Sequence, residues 1–160
     1  MKKIYTFVIF IIIGLFLLLT ITQCTKDNDN QEKKCITSFL ETYFTNEILL
    51  ATDAIPDLKI YKKYLTNDAY ESFYIDRIYP YELKGNIDNL EICDIEIESI
   101  PNKNDTYHNY NVSFTLKNNE NNKEKEVTNF EIRLEKEGIK WKISNNNNLY
   151  FLQKWLVETL

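Results

Sequence analysis

The chain has 160 residues, a formal net charge of −5 and only three glycines. So few glycines argue against a glycine-rich phosphate-binding loop. An acidic balance without a concentrated basic stripe argues against nucleic acid as a direct partner.

The N-terminus has the strongest local signal. Lys2 and Lys3 precede an almost unbroken apolar run from Ile4 to Ile21, and Cys24 follows. A charged start before an apolar span directs a chain to export, and the lysines favour a cytoplasmic N-terminus. Residues 1–24 are therefore predicted to be a signal or membrane anchor, with the rest of the chain on the extracytoplasmic side of the cell membrane.

Two kinds of attachment remain open. Ile4 to Thr22 is 19 residues, about the length of a membrane-spanning helix. Leu19 to Cys24 resembles instead a bacterial lipobox, with Gln23 where a small residue is usual, which would make Cys24 a lipidation site. Either route attaches the chain to the membrane. The polar residues 25–34 are then predicted to be a flexible tether.

Residues 35–160 have the length of a single domain. Apolar residues recur at helical spacing from Cys35 onward, which predicts a first amphipathic helix. Pro56 is suited to open a second helix, and Thr66, Asn67 or Asp68 to cap a third.

After Gly85 the apolar period changes to two, which predicts a four-stranded meander. The predicted strands are Leu90 to Ile100, Tyr107 to Leu116, a run ending at Leu134, and Ile139 to Ile143 after a hairpin at Gly138. The first strand needs a bulge near Cys93 and Asp94 to keep its isoleucines in phase. Leucines from Leu149 to Leu160 predict a short terminal helix.

The element order and the strand Gly138 to Ile143 resemble the nuclear transport factor 2-like, or cystatin-like, cone fold. The resemblance implies an α+β domain with N-terminal helices packed on a curved four-stranded antiparallel sheet, preceded by the membrane-anchor helix. Proteins of this fold include isomerases, dehydratases, transport scaffolds and exported bacterial proteins, so the resemblance implies an open-ended pocket and no single function.

The pocket candidates are Asp94, His108 and Tyr110. His108, the only histidine, shares the inward phase of its strand with Tyr110, where it would suit a general base coupled to Asp94. The alternative is a rim histidine bonded to water or backbone. One histidine does not make a zinc site, so no metal, and no cofactor, is expected.

Cys35 and Cys93 would form an even pair if Cys24 carried lipid, and a disulfide between them would join the first helix to the sheet. The alternative is two free thiols, each packed as a small apolar side chain.

We expect the source to be a low-GC bacterium, because 20 Ile, 19 Asn and 17 Lys stand against 3 Ala and 2 Arg. The leading hypothesis is a non-enzymatic, membrane-tethered extracytoplasmic domain that binds an envelope protein or a small ligand, for example as a conjugation or secretion-channel subunit. The alternatives are an isomerase-like or dehydratase-like enzyme, and a structural or inhibitory lipoprotein.

Overall fold

The computed structural model describes residues 29–44, 58–78, 89–102, 106–144 and 149–159. The predicted anchor 1–24, with Cys24, and the opening of the second helix at Pro56 lie outside these residues. Within the described ranges, no helix has the length and apolar character needed to span a bilayer.

The first helix, α1, is described over residues 29–44. Its buried stripe repeats at three- and four-residue spacing, as predicted: Ile36, Phe39, Leu40, Tyr43 and Phe44. Residues 29–34, however, are helical, so the prediction of a flexible tether is wrong for these residues. Lys33 pairs with Asp29 one turn earlier at 3.2 Å, and Glu32 is only 1% exposed. A contact with the sheet, which local polarity does not reveal, holds this turn in the fold.

Two further helical segments follow. Leu58–Lys63, where the second helix was predicted, is a 3-10 helix, and Tyr61 and Leu65 are buried. Helix α2 spans Asn67–Ile78. The Thr66 hydroxyl accepts a hydrogen bond from the Ala69 amide at 3.3 Å, which confirms the predicted cap.

The sheet is a four-stranded antiparallel meander in the order β1-β2-β3-β4. The strands are β1 (Leu90–Ile100), β2 (Tyr107–Asn118), β3 (Lys123–Glu137) and β4 (Lys140–Ile143). The sheet curls, and helices pack on it, so the predicted α+β architecture is confirmed at this level.

The bulge predicted in β1 is confirmed. The pairing of β1 with β2 shifts between Cys93 and Glu96, and Asp94 has a positive φ of 54°. The extra residue lets Ile92 and Ile97 face the same side of the sheet.

The hairpin between β3 and β4 has a two-residue loop, because Glu137 pairs with Lys140. Gly138 has φ +65°, the conformation that a tight turn of this kind requires. Ile139 therefore occupies the turn and is 89% exposed. The prediction that the fourth strand begins at Ile139 is wrong, because β4 begins at Lys140.

The core fills the concave face of the sheet. Tyr110, Val112, Phe114 and Leu116 of β2 are buried in strict alternation. Helix α3 (Tyr150–Thr159) covers one end of this face, where the Trp155 ring lies 5.0 Å from that of Phe130 and 5.9 Å from that of Phe114.

Candidate functional site

The first turns of α1 meet the start of β2 in a cluster of polar side chains. The Glu32 carboxylate is its centre. The Tyr110 hydroxyl donates to Glu32 Oε2 at 2.7 Å, and the same oxygen lies 2.7 Å from His108 Nδ1. Two neighbouring side chains of β2 therefore meet a side chain of α1, at least 76 residues away in sequence, at one oxygen atom.

Local periodicity explains which side chains share a face of each element. His108 and Tyr110 are two residues apart on a strand, so they face the same side. Asp29 and Glu32 are three residues apart on a helix, so they also share a face. The Tyr110 hydroxyl lies 3.3 Å from Asp29 Oδ1 as well, so both carboxylates approach the same phenol.

Tyr110 is 2% exposed, and its surroundings favour the neutral phenol. Burial, followed by the hydrogen bond to Glu32 and the negative charges of Glu32 and Asp29, raises the pKa of Tyr110 well above its ordinary value. The phenol therefore keeps its proton in the physiological range and is the donor in these contacts.

His108 is held on two sides. Its Nδ1 contacts Glu32, and its ring stacks on Trp141 of β4 with centroids 4.5 Å apart and an interplanar angle of 24°. The side chain is still 38% exposed. An ionised Glu32 accepts a hydrogen bond from Nδ1–H, which leaves Nε2 as the ring's second polar atom for contact with a ligand or water.

A cleft of about 270 Å³ adjoins these groups. It lies between the start of α1, the end of β1 and the start of β2. Its lining mixes carboxylates, an imidazole, hydroxyls and amides with two apolar side chains: Asp29, Glu32, Ser99, Ile100, Pro101, Asn102, His108, Asn109 and Tyr110.

Two of the three predicted pocket residues, His108 and Tyr110, line this cleft, and Asp94 does not. Asp94 follows Cys93, which pairs with Thr115, whereas His108 lies at the other end of β2. At about 3.3 Å per residue the two side chains are roughly 20 Å apart along the strands. The predicted acid–base couple of Asp94 and His108 is therefore wrong, because the register places another carboxylate, Glu32, beside the imidazole.

The described cysteines, Cys35 and Cys93, are both free, so the disulfide considered between them is not formed. Cys35 Sγ lies 4.0 Å from the Tyr64 carbonyl oxygen, and Cys93 Sγ lies 3.7 Å from that of Thr115. Burial raises the pKa of the Cys35 thiol to about 11, with Lys142 lowering it and Glu32 raising it to lesser extents. Cys35 is consequently a weak nucleophile at neutral pH.

Sequence reasoning missed Asp29 and Glu32, because both lie in the stretch that its polarity marked as tether. One signal was present. Glu32 is four residues before Ile36, so it continues the buried stripe of α1 by one more turn.

Among the residues that the structure describes, no group of three His, Cys, Asp or Glu side chains is arranged to hold a metal ion. The class that the fold and cleft define is a small α+β domain with a polar cleft at one end of a curled sheet. Comparison of the chain with protein-family models, with curated proteins and with solved structures finds no match.

Proposed function

We propose that this protein is a ligand-binding domain of the cone fold, tethered to the extracytoplasmic side of the cell membrane of a low-GC bacterium. The apolar run before Cys24 supports the tether. The helix-then-meander order on a curled sheet supports the cone fold.

The observation that carries the binding role is the cleft. The aromatic core occupies the sheet beneath residues 36–44 of α1, whereas about 270 Å³ stays open beside Glu32, His108 and Tyr110. A concave site that mixes apolar walls with a few fixed polar groups is typical of small-ligand recognition. The ligand-binding site is therefore the cleft.

Blocking the cleft tests this role. Ser99 lines the cleft and pairs across the strands with Tyr110, so Ser99→Trp places an indole in the open space. Ser113, on the opposite face of β2, gives the matched control Ser113→Trp. The full chain in detergent micelles is screened by saturation-transfer NMR against small amines, carboxylic acids, amides and sugars. We expect fragments that bind the wild type and the control but not Ser99→Trp. Fragments that bind all three proteins equally, or none that bind the wild type, would contradict the proposal.

The tether is tested by the intact mass of the membrane-extracted protein beside a Cys24→Ala variant. Loss of residues 1–23 with added acyl mass, absent in the variant, would establish lipidation. Unprocessed masses in both proteins would establish a spanning anchor. Recovery of the protein from the soluble fraction, with the N-terminal segment removed and no lipid, would contradict the tether.

A second candidate is an acid–base enzyme, favoured by the 2.7 Å contact between Glu32 and His108. The carboxylate would orient the imidazole through Nδ1, and Nε2 would accept a proton from a substrate C–H or O–H. Deuterium exchange at the α-carbon of small ketones in D₂O tests this role, since the base returns a solvent deuteron. Faster exchange by the wild type than by His108→Gln would support an enzyme, and equal rates would leave a binding domain.

A further inference from the structure

The two edges of the sheet differ in their backbone pairing. At β4, residues 64–66 continue the sheet: Leu65 bridges to Ile143, the Thr66 amide donates to the Ile143 carbonyl at 2.9 Å, and the Ile143 amide donates to the Tyr64 carbonyl at 2.8 Å. At the other edge, within the described ranges, β1 pairs only with β2. An edge strand presents N–H and C=O groups to any chain that can pair with it.

The charged side chains of β1 are all acidic, and its large uncharged side chains are all aliphatic. Its 11 residues include four acids and no Lys or Arg: Glu91, Asp94, Glu96 and Glu98. All four are exposed. Ile95 and Ile97 alternate with two of these acids and are only partly buried against the core. The strand is therefore acidic on one face and incompletely covered apolar on the other.

Only part of β1 can template a regular strand. The bulge at Cys93 to Glu96 and the positive φ of Asp94 interrupt the ladder, as bulges at edges commonly do. From Glu96 to Ile100 the register with β2 is continuous. Residues 96–100 therefore form an extended edge of roughly 17 Å at about 3.3 Å per residue.

We propose that the outer edge of residues 96–100 binds an extended basic segment of a partner protein, which adds a fifth strand to the sheet. Main-chain hydrogen bonds supply the affinity, and alternate side chains supply the specificity. A segment that alternates Lys or Arg with apolar residues places cations beside Glu96 and Glu98, and an apolar side chain beside Ile97. Ser99 and Ile100 at the end of this edge also line the cleft, whereas Glu96, Ile97 and Glu98 do not. The inference rests on these three side chains and does not depend on the cleft function.

A second copy of this chain is a poorer occupant of the edge. Pairing β1 with β1 would bring the acids of the two strands together, and like charges that face each other across a strand pair are destabilising. Charge complementarity thus selects a basic strand over self-association.

The test uses the full chain in detergent micelles and a fluorescent, acetylated heptapeptide that alternates Lys and Val. Two control peptides have Glu in place of each Lys, or an N-methyl group at every residue. The double variant Glu96→Lys with Glu98→Lys reverses the edge charge. Its matched control, Glu71→Lys with Glu126→Lys, makes the same change at exposed positions of α2 and β3. Binding is measured by fluorescence anisotropy.

We expect the wild type and the matched control to bind the Lys–Val peptide with similar Kd, and the edge variant to bind at least about tenfold more weakly. The wild type should bind neither control peptide measurably, and the Kd should rise with salt. Equal Kd values for the edge variant and the matched control would overturn the inference. So would equal binding of the N-methylated peptide, since it keeps the charges and loses the strand donors, or dimers of the wild type that exclude the peptide.

Discussion

The two ends of the concave face are built from the same helix and the same strand but are filled in opposite ways. Beneath residues 36–44 of α1 the rings interlock, with Phe44 5.6 Å from Phe114 between centroids. Beneath residues 29–32 the contacts are hydrogen bonds to one buried carboxylate, and a cleft stays open. A buried charge is weak evidence for stability. Departures from a simple apolar core are expected where a fold carries function, and the binding role that we propose lies at this polar end.

The largest expected effect lies at the closed end. Phe114→Ala removes a ring that is 2% exposed and contacts Phe44, Phe130 and Trp155. We expect the free energy of unfolding to fall by about 3–5 kcal/mol, because the cavity left by a core phenylalanine does not close. Urea denaturation measures the change. Thr115→Ala, one residue along on the other face, is the control and should cost less than about 1 kcal/mol.

At the polar end, Glu32→Ala should lower the free energy of unfolding by about 2–4 kcal/mol, since the buried Tyr110 hydroxyl and the His108 Nδ1 then lose their shared partner. Glu32→Gln retains a carbonyl oxygen and should cost less than the alanine variant. A double-mutant cycle of Glu32→Gln with Tyr110→Phe isolates their coupling. Strict additivity of the two changes would contradict the contact described.

The Cys35 thiol should make stability depend on pH on the alkaline side. Its pKa is raised from 9.0 to about 11 in the folded protein. The stabilisation of the folded protein that comes from this shift is therefore fully present below pH 9. It is lost as the pH rises from 9 to 11, because the unfolded chain releases the thiol proton before the folded protein does. The expected loss is about 2–3 kcal/mol. Cys35→Ala should show a shallower decline in the free energy of unfolding across this range, and an unchanged slope would contradict the burial of the thiol.

The smallest effect is expected at the rim of the cleft. His108 is 38% exposed, and glutamine can place an amide donor near Glu32, so His108→Gln should change the free energy of unfolding by less than about 1 kcal/mol. Fragment binding in the cleft should nevertheless weaken. Destabilisation as large as that of Phe114→Ala would mean that this end is closed core rather than an open site.

Much of the fold was predictable because it follows from local periodicity. The alternation in β2, the bulge at Asp94, the cap at Thr66 and the turn at Gly138 each depend on residues close in sequence. Ile139 was misplaced because its apolar character continues the strand pattern, whereas the two-residue hairpin needs it in the turn.

The candidate site was only half predictable. The phase of β2 put His108 and Tyr110 on the inward face, but the identity of their partner depends on where α1 lies across the sheet. No local sequence pattern predicts that Glu32 contacts His108, which is 76 residues away in the chain. Strand register, which separates Asp94 from His108, is likewise a long-range property.

The most direct test of the account is the tautomer of the His108 imidazole, read from the ring nitrogens by ¹H–¹⁵N NMR of the full chain in micelles. A single histidine gives one set of ring signals. We expect a protonated Nδ1 whose resonances move in Glu32→Gln and stay in place in the exposed control Glu96→Gln. A proton-free Nδ1, with ring signals that Glu32→Gln leaves unchanged, would contradict a carboxylate-held imidazole at the mouth of the cleft.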